Sequence, residues 1–301
     1  MEITPFALPR LGLWTGSLDA VPLAEACGLA AELERLGYGA LWVPEVAGRD
    51  VFVALGAMLG ATTRLVGATG IASIWARDAV TMTGGVKALT EAYPERMLLG
   101  LGVSHHTLVE ELRGHEYRRP LAAMQAYLEA MDASPYTGFR PGTPVRRVLA
   151  ALGPRMLALA AERTEGAHTY FATPEHTATA RAALGDHLLC VEQAVLLEAD
   201  PARAREVGRA HTKVYVRLPN YQNNLRRLGF DDADFAGGGS DRLVDAIVAW
   251  GDEAAVARRV RAQLDAGADH VCVQPLAAEA RGVPAGQWRA LAPALREVTG
   301  A

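Results

Sequence analysis

Three stretches of the chain carry the same pattern of hydrophobic and polar positions. In AAELERLGYGALWVPE (residues 30–45), LAAERTEGAHTYFATPE (159–175) and VRAQLDAGADHVCVQP (260–275), a run with helical spacing leads to a glycine, then to a short apolar segment, then to a proline. The glycines are Gly37, Gly166 and Gly267. Glycine suits a helix C-terminus because it adopts the left-handed conformation without steric cost. The apolar segments are too short for helices and hardly alternate, as expected of strands buried on both faces. A helix feeding directly into such a strand is the second half of a parallel βαβ unit.

Strand-like segments of this kind fall at residues 11–14, 40–43, 65–71, 97–101, 147–151, 167–171, 188–197 and 270–273. Helical patterns fill most of the gaps, at 22–36, 79–92, 155–163, 175–184 and 253–265. This alternation predicts an α/β protein, a closed (β/α)8 TIM barrel in one domain over residues 1–301, in preference to an open doubly wound sheet. Two connections are too long for plain turns: 105–145 after the fourth strand, with SPYTGFRPGTP, and 200–251 after the seventh, with RLPNYQNNLRRLGF and FAGGGSD. They read as insertions, and in a barrel such loops lie on the catalytic face as lids or disordered segments.

Composition narrows the classes. Half of the residues are hydrophobic, 21% are charged, and the formal net charge is −4. That balance argues against nucleic acid as a partner, since neutralising phosphates needs a basic excess. No segment has the length and apolarity of a membrane span, and the N-terminal residues MEITPFALPR lack the pattern of a secretory signal. Cys27, Cys190 and Cys272 are widely spaced and form no C-x-x-C pair, which reads as buried thiols in a reducing cytoplasm.

The candidate chemistry lies where strands end. The segment RLVGATGIASIWARD (64–78) opens as a strand and then loses its side chains at Gly67, Ala68 and Gly70. LLGLGVSHH (98–106) has Gly100 and Gly102 but only half of a dinucleotide-binding glycine motif; its glycines permit either close approach of a ligand or tight packing. His106 and Glu110 share a helix face, yet no third ligand accompanies them, so no metal is expected. Gly153-Pro154 and Thr173-Pro174 each open a helix, and free amides at such termini attract anions, with Arg155 adding charge at the first. No hydrolytic triad, P-loop or close carboxylate pair is evident. Apolar surface, bare backbone and two anion-competent termini suit a phosphate-bearing cofactor that carries the chemistry itself.

Five segments together resemble the luciferase-like superfamily, in the branch that uses the deazaflavin coenzyme F420: GALWVPE (39–45), GATGIASIWARD (67–78), ERMLLGLGVSH (95–105), VLAALGPRMLALAAERTEGAH (148–168) and DAGADHVCVQ (265–274). The resemblance implies a non-prolyl cis peptide at Gly70–Ile71 backing the cofactor ring, with Ala72 beside it. It implies a ring border from Glu45, Gly102, Val103, Ser104 and His106, and a phosphate site at Leu152, Gly153, Pro154 and Arg155. Glu45 and His105 are candidate catalytic proton carriers, and Trp14, Trp75 and Tyr221 are candidate walls of the substrate site. Where the sugar-phosphate dehydrogenases of the family place a catalytic histidine after the acidic residue, this chain has Val46. Its lysines are Lys87 and Lys213 alone, which argues against a sugar-phosphate substrate. The expected activity is F420-dependent hydride transfer between the ring's C5 and a small organic molecule, by a cytoplasmic homodimer. The alternatives are an FMN-dependent monooxygenase and a non-catalytic deazaflavin-binding barrel.

Overall fold

The protein is described by a computed structural model covering residue 6, residues 8–277 and residues 282–300. Its strands, in chain order, are β1 (Leu11–Trp14), β2 (Ala40–Val43), β3 (Val66–Thr69), β4 (Ala72–Ser73), β5 (Met97–Gly102), β6 (Arg146–Ala150), β7 (Gly166–Thr169), β8 (Leu188–Leu197), β9 (Ala249–Gly251) and β10 (His270–Pro275). All pairings are parallel, and β1, β2, β3, β5, β6, β7, β8 and β10 close on themselves through the β10–β8 and β10–β1 pairs. This is the expected (β/α)8 barrel. Around it lie α1 (Leu23–Leu36), α2 (Val51–Gly60), α3 (Ala79–Ala92), α4 (Pro120–Asp132), α5 (Pro154–Arg163), α6 (Pro174–Leu184), α7 (Pro201–Tyr215), α8 (Pro219–Arg227), α9 (Asp232–Phe235), α10 (Asp241–Ile247), α11 (Glu253–Asp265) and α12 (Ala285–Thr299).

Alternate strand residues divide between two cores. Leu13, Leu41, Leu99, Leu149, Val191 and Val271 face outward into the layer shared with the helices. Ala40, Trp42, Val66, Ala68, Leu98, Val148, Cys190 and Cys272 fill the barrel interior, with Phe6 and Leu8 packed against them. The interior also holds groups that are rarely buried. Trp42 stacks on His168 with ring centroids 4.4 Å apart and donates from Nε1 to His270 Nε2 at 2.9 Å. Gly12 is required here: a Cβ would lie 2.6 Å from the His270 ring.

Several sequence boundaries move. The third predicted strand, 65–71, covers only β3 at Val66–Thr69; the chain turns at a cis Gly70–Ile71 peptide and resumes beyond the predicted span as β4 against β5. The strand predicted at 167–171 stops at Thr169, since Phe171 takes a left-handed φ of 58° that no strand continues. The insertion after β8 is not an irregular loop. It folds into α7 to α10 around a satellite core of Phe171, Leu196, Val216, Tyr221, Leu225 and Leu243, and returns through β9 to pair with β8. The insertion after β5 holds a short π-helical turn at Leu108–Leu112 and then α4. Among the described residues no helix is long and apolar enough to cross a membrane.

Candidate functional site

The Gly70–Ile71 bulge is held from three sides. Gly70 donates its N–H to Val43 O at 2.7 Å, and its carbonyl accepts from Trp14 Nε1 at 2.9 Å. Ile71 O accepts from Glu45 N at 3.3 Å. A Cβ on Gly70 would lie 2.6 Å from Trp14 Nε1, so only glycine permits this indole contact. The glycines of β5 answer to the same bulge: Cβ atoms on Gly100 and Gly102 would each lie 2.7 Å from the Ile71 side chain. The bare backbone noted at positions 100 and 102 is therefore filled by Ile71.

Glu45 braces the bulge from the other flank. Its Oε2 accepts from Ser73 N at 2.9 Å and from Arg77 at 3.1 Å, and its Oε1 pairs with the same guanidinium. Arg77 reaches on to Asp50 at 2.8 Å, stacks over Phe52, and is 9% exposed as a side chain. Burial by itself lowers the Arg77 pKa, but its bonds to Glu45 and Asp50 raise it above the ordinary value. Glu45 thus stands as an ion-paired carboxylate with both oxygens engaged.

The loop leaving β5 carries Val103, Ser104, His105 and His106. Trp75 Nε1 donates to Val103 O at 2.9 Å, and Ser104 adopts φ 57°. His105 turns inward, 5.6 Å from the Tyr221 ring; burial lowers its pKa, opposed by a hydrogen bond with the Asn220 side chain. His106 is exposed beside Thr107. At the end of β6, Leu152 leads to Gly153, the N-cap of α5. That terminus has no side-chain cap, and open space surrounds Gly153, with Arg155 exposed next to it. The second terminus, at α6, differs: Thr173 caps it by accepting from His176 N at 3.4 Å. The two expected anion sites are thus one open terminus and one internally satisfied.

An aromatic wall that sequence reasoning found only in part starts beside the bulge, at Trp14. Trp14 lies 5.2 Å from Tyr170, which lies 5.2 Å from Tyr215, which lies 5.2 Å from Tyr221. Trp14 and Tyr221 therefore belong to one wall, whereas Trp75 stands apart, 6.0 Å from His115. Below the wall sits Glu192, 1% exposed, whose Oε2 accepts from Phe171 N at 3.1 Å and whose Oε1 has no partner. Burial pushes its pKa up to about 8. Gln274 directly follows the apolar segment predicted at 270–273, a signal that was open to reading, whereas Tyr170 fell inside the strand predicted at 167–171. Tyr215 comes from the insertion, where no strand end points to it. Among the described residues no three His, Cys, Asp or Glu side chains gather as a metal site needs.

The profile of the luciferase-like monooxygenase family matches residues 1–270. The chain belongs to this family. Luciferase-like architecture is also what the solved structures share with it. A coenzyme F420-dependent tetrahydromethanopterin reductase from Methanopyrus kandleri superposes with a TM-score of 0.77 at 16% identity, covering 97% of this chain and 99% of that one. An F420-dependent secondary alcohol dehydrogenase, solved with an F420-acetone adduct, gives 0.75 at 15% identity over 96% and 99%. The FMN-bound oxygenating constituent of 3,6-diketocamphane monooxygenase from Pseudomonas putida gives 0.71 at 14% identity over 97% and 98%. In sequence, a curated Mycobacterium tuberculosis (strain ATCC 25618 / H37Rv) protein, provisionally named a coenzyme F420-dependent oxidoreductase, is 28% identical over 195 residues. That match spans 55% of this luciferase-like chain and 56% of the relative, so about half of each length is compared.

Proposed function

We propose that the protein is an F420-dependent oxidoreductase that moves a hydride between the deazaflavin and a small organic substrate. The observation that carries this reading is the pairing of an uncapped α5 terminus at Gly153 with the Gly70–Ile71 bulge on the same rim of the barrel. The first offers free amides and Arg155 to a phosphate; the second offers a backbone shelf to a flat ring. The named F420 relatives support the deazaflavin, and the FMN-bound neighbour keeps a flavin monooxygenase as the second reading.

When bound, the deazaflavin supplies the hydride at its C5. The chain's own residues do the rest. Leu152, Gly153, Pro154 and Arg155 hold the phosphate end. Gly70, Ile71 and Ala72 back the ring, and Gly102, Val103, Ser104 and His106 border it. Glu45 keeps the bulge in place through Ser73 N and Arg77 and is a candidate proton carrier only when that ion pair opens. His105, at the meeting of the β5 loop and Tyr221, is the second candidate proton carrier. Trp14 and Tyr221 exclude water from the substrate, while Trp75 holds the β5 loop through Val103 O. A cytoplasmic homodimer, with Cys27, Cys190 and Cys272 as free thiols, completes the reading.

Titration of cofactor-free protein with F420 and, separately, with FMN tests it. Binding of F420 at micromolar concentration, with FMN much weaker, is the expected result. The reverse preference supports the monooxygenase, and binding of neither overturns the site.

A further inference from the structure

We propose that Tyr215, Tyr170 and Gln274 form a hydrogen-bond chain that grips the oxygen of a neutral, mainly apolar substrate and reverses its polarity to accept both an alcohol and the matching ketone. The proposal rests on the hydride-transfer reading above and names the substrate class of that site.

Position comes first. Tyr170 leaves the end of β7, yet its hydroxyl reaches Gln274 on β10 at 2.8 Å and its ring lies 5.2 Å from Trp14 at the end of β1. It therefore crosses the mouth of the barrel over β8. Trp14 in turn holds the Gly70 carbonyl, so the chain of hydroxyls begins beside the bulge. Tyr215, at the last turn of α7, meets the Tyr170 hydroxyl at 2.8 Å.

Counting protons gives the chemistry. A phenol has one proton and two lone pairs, and a carboxamide offers both an acceptor and a donor. Tyr170 spends its proton on Gln274 Oε1. The contact between the two hydroxyls is then made by the Tyr215 proton, which leaves Tyr215 with free lone pairs and no free proton. In that state it accepts a hydrogen bond from a substrate hydroxyl. If the Gln274 carboxamide turns over, Nε2 donates to Tyr170, Tyr170 donates to Tyr215, and the Tyr215 proton is released to a carbonyl oxygen. Both members of a pair that differ by one hydride and one proton are thus recognised by the same atoms.

The surroundings select a neutral partner. Phe171, His211 and Tyr221 pack against Tyr215 at 4.8, 5.1 and 5.2 Å. Burial lowers the His211 pKa to about 4 and raises that of Tyr215 to about 12, so both are uncharged at neutral pH. Burial likewise keeps Glu192 protonated there, and His105 is shifted toward its neutral form. Arg77 is committed to Glu45 and Asp50. A carboxylate or phosphate placed against this wall would lose its water with no counter-charge in return.

The test is equilibrium binding of four probes to protein saturated with F420, reduced for 1-phenylethanol and oxidised for acetophenone, benzoate and ethylbenzene, so that no probe can exchange a hydride with the cofactor. F420 affinity is measured first for every variant; if the unaltered chain does not bind F420, the cofactor reading fails, and that result is separate from this one. The chain as it stands should bind the alcohol and the ketone and hold benzoate at least about tenfold more weakly. Tyr215→Phe should weaken the alcohol and the ketone by roughly 3- to 10-fold and leave ethylbenzene unchanged. Gln274→Met leaves Tyr170 to donate only to Tyr215, so the alcohol should weaken while the ketone does not. Benzoate binding as tightly as acetophenone, or a Tyr215→Phe effect equal on ethylbenzene and the ketone, or no split between alcohol and ketone in Gln274→Met, would overturn the proposal.

Discussion

Glu192 projects from the inner face of β8 with one oxygen on the Phe171 amide and the other without a partner. Burial raises its pKa from 4.5 to about 8, so between those values the folded chain holds a proton that the unfolded chain has released. Folding stability therefore falls as pH rises through this window, by up to about 1.4 kcal/mol per pH unit. His168, His176, His211 and His270 work the other way: burial lowers them from 6.5 to about 3 or 4, so they favour the folded state as pH rises toward 6.5. Above pH 6.5 the carboxyl acts alone among these groups. Glu192→Gln should accordingly gain about 2 kcal/mol relative to the parent between pH 6.5 and 8, read from urea denaturation at the two pH values. Equal changes in both proteins would mean that Glu192 is ionised in the fold. At this scale the sequence was least legible. Glu192 sits in an apolar strand like any other polar interruption, and only closure of the barrel tells whether it faces the mouth or the helices.

The eight barrel strands were readable, because a parallel strand buried on both faces has no choice but to be apolar, and so were α1, α3, α5, α6 and α11. β1, β2 and β8 match the sequence reading end to end, and the insertions follow the strands where they were expected. What escaped were α2 and α12 in the outer ring and the elements whose pattern serves a second layer. α7 to α10 bury their apolar faces on one another and on β8, so no strand rhythm frames them. α5 and α6 look alike in sequence, each opening with proline, and the structure separates them by a single side chain: Thr173 closes the α6 terminus, and nothing closes that of α5. Gly153→Asp would supply the missing cap. It should raise helix stability by only a few tenths of a kcal/mol, since glycine is already a tolerable cap. The same carboxylate would stand where a phosphate is expected, so F420 affinity should fall by about tenfold or more. Thermal denaturation and a fluorescence titration on the one variant read both effects; unchanged F420 affinity would move the phosphate elsewhere.

Across the whole molecule, β8 ties the three hydrophobic cores together. Val191 and Val195 belong to the outer layer, Ala194 and Leu196 to the insertion, and Cys190 to the interior. The insertion is thus part of the barrel's own packing, and residues 1–301 should unfold as one domain. Tryptophan fluorescence, reporting on Trp42 inside and Trp250 beside the insertion, should superimpose on far-UV circular dichroism through a urea titration. An earlier fluorescence transition would mean that the insertion melts by itself. The barrel closes where β1 meets β10, pairing Leu11 with Val271 and Leu13 with Val273. On a ribosome this has a cost in time. β1 is made about 250 residues before β10, so its second neighbour follows some tens of seconds later. Until then one side of β1 is an unpaired edge, open to any other strand in reach. Slower translation lengthens that interval and should lower the soluble yield while leaving the stability of the finished barrel unchanged.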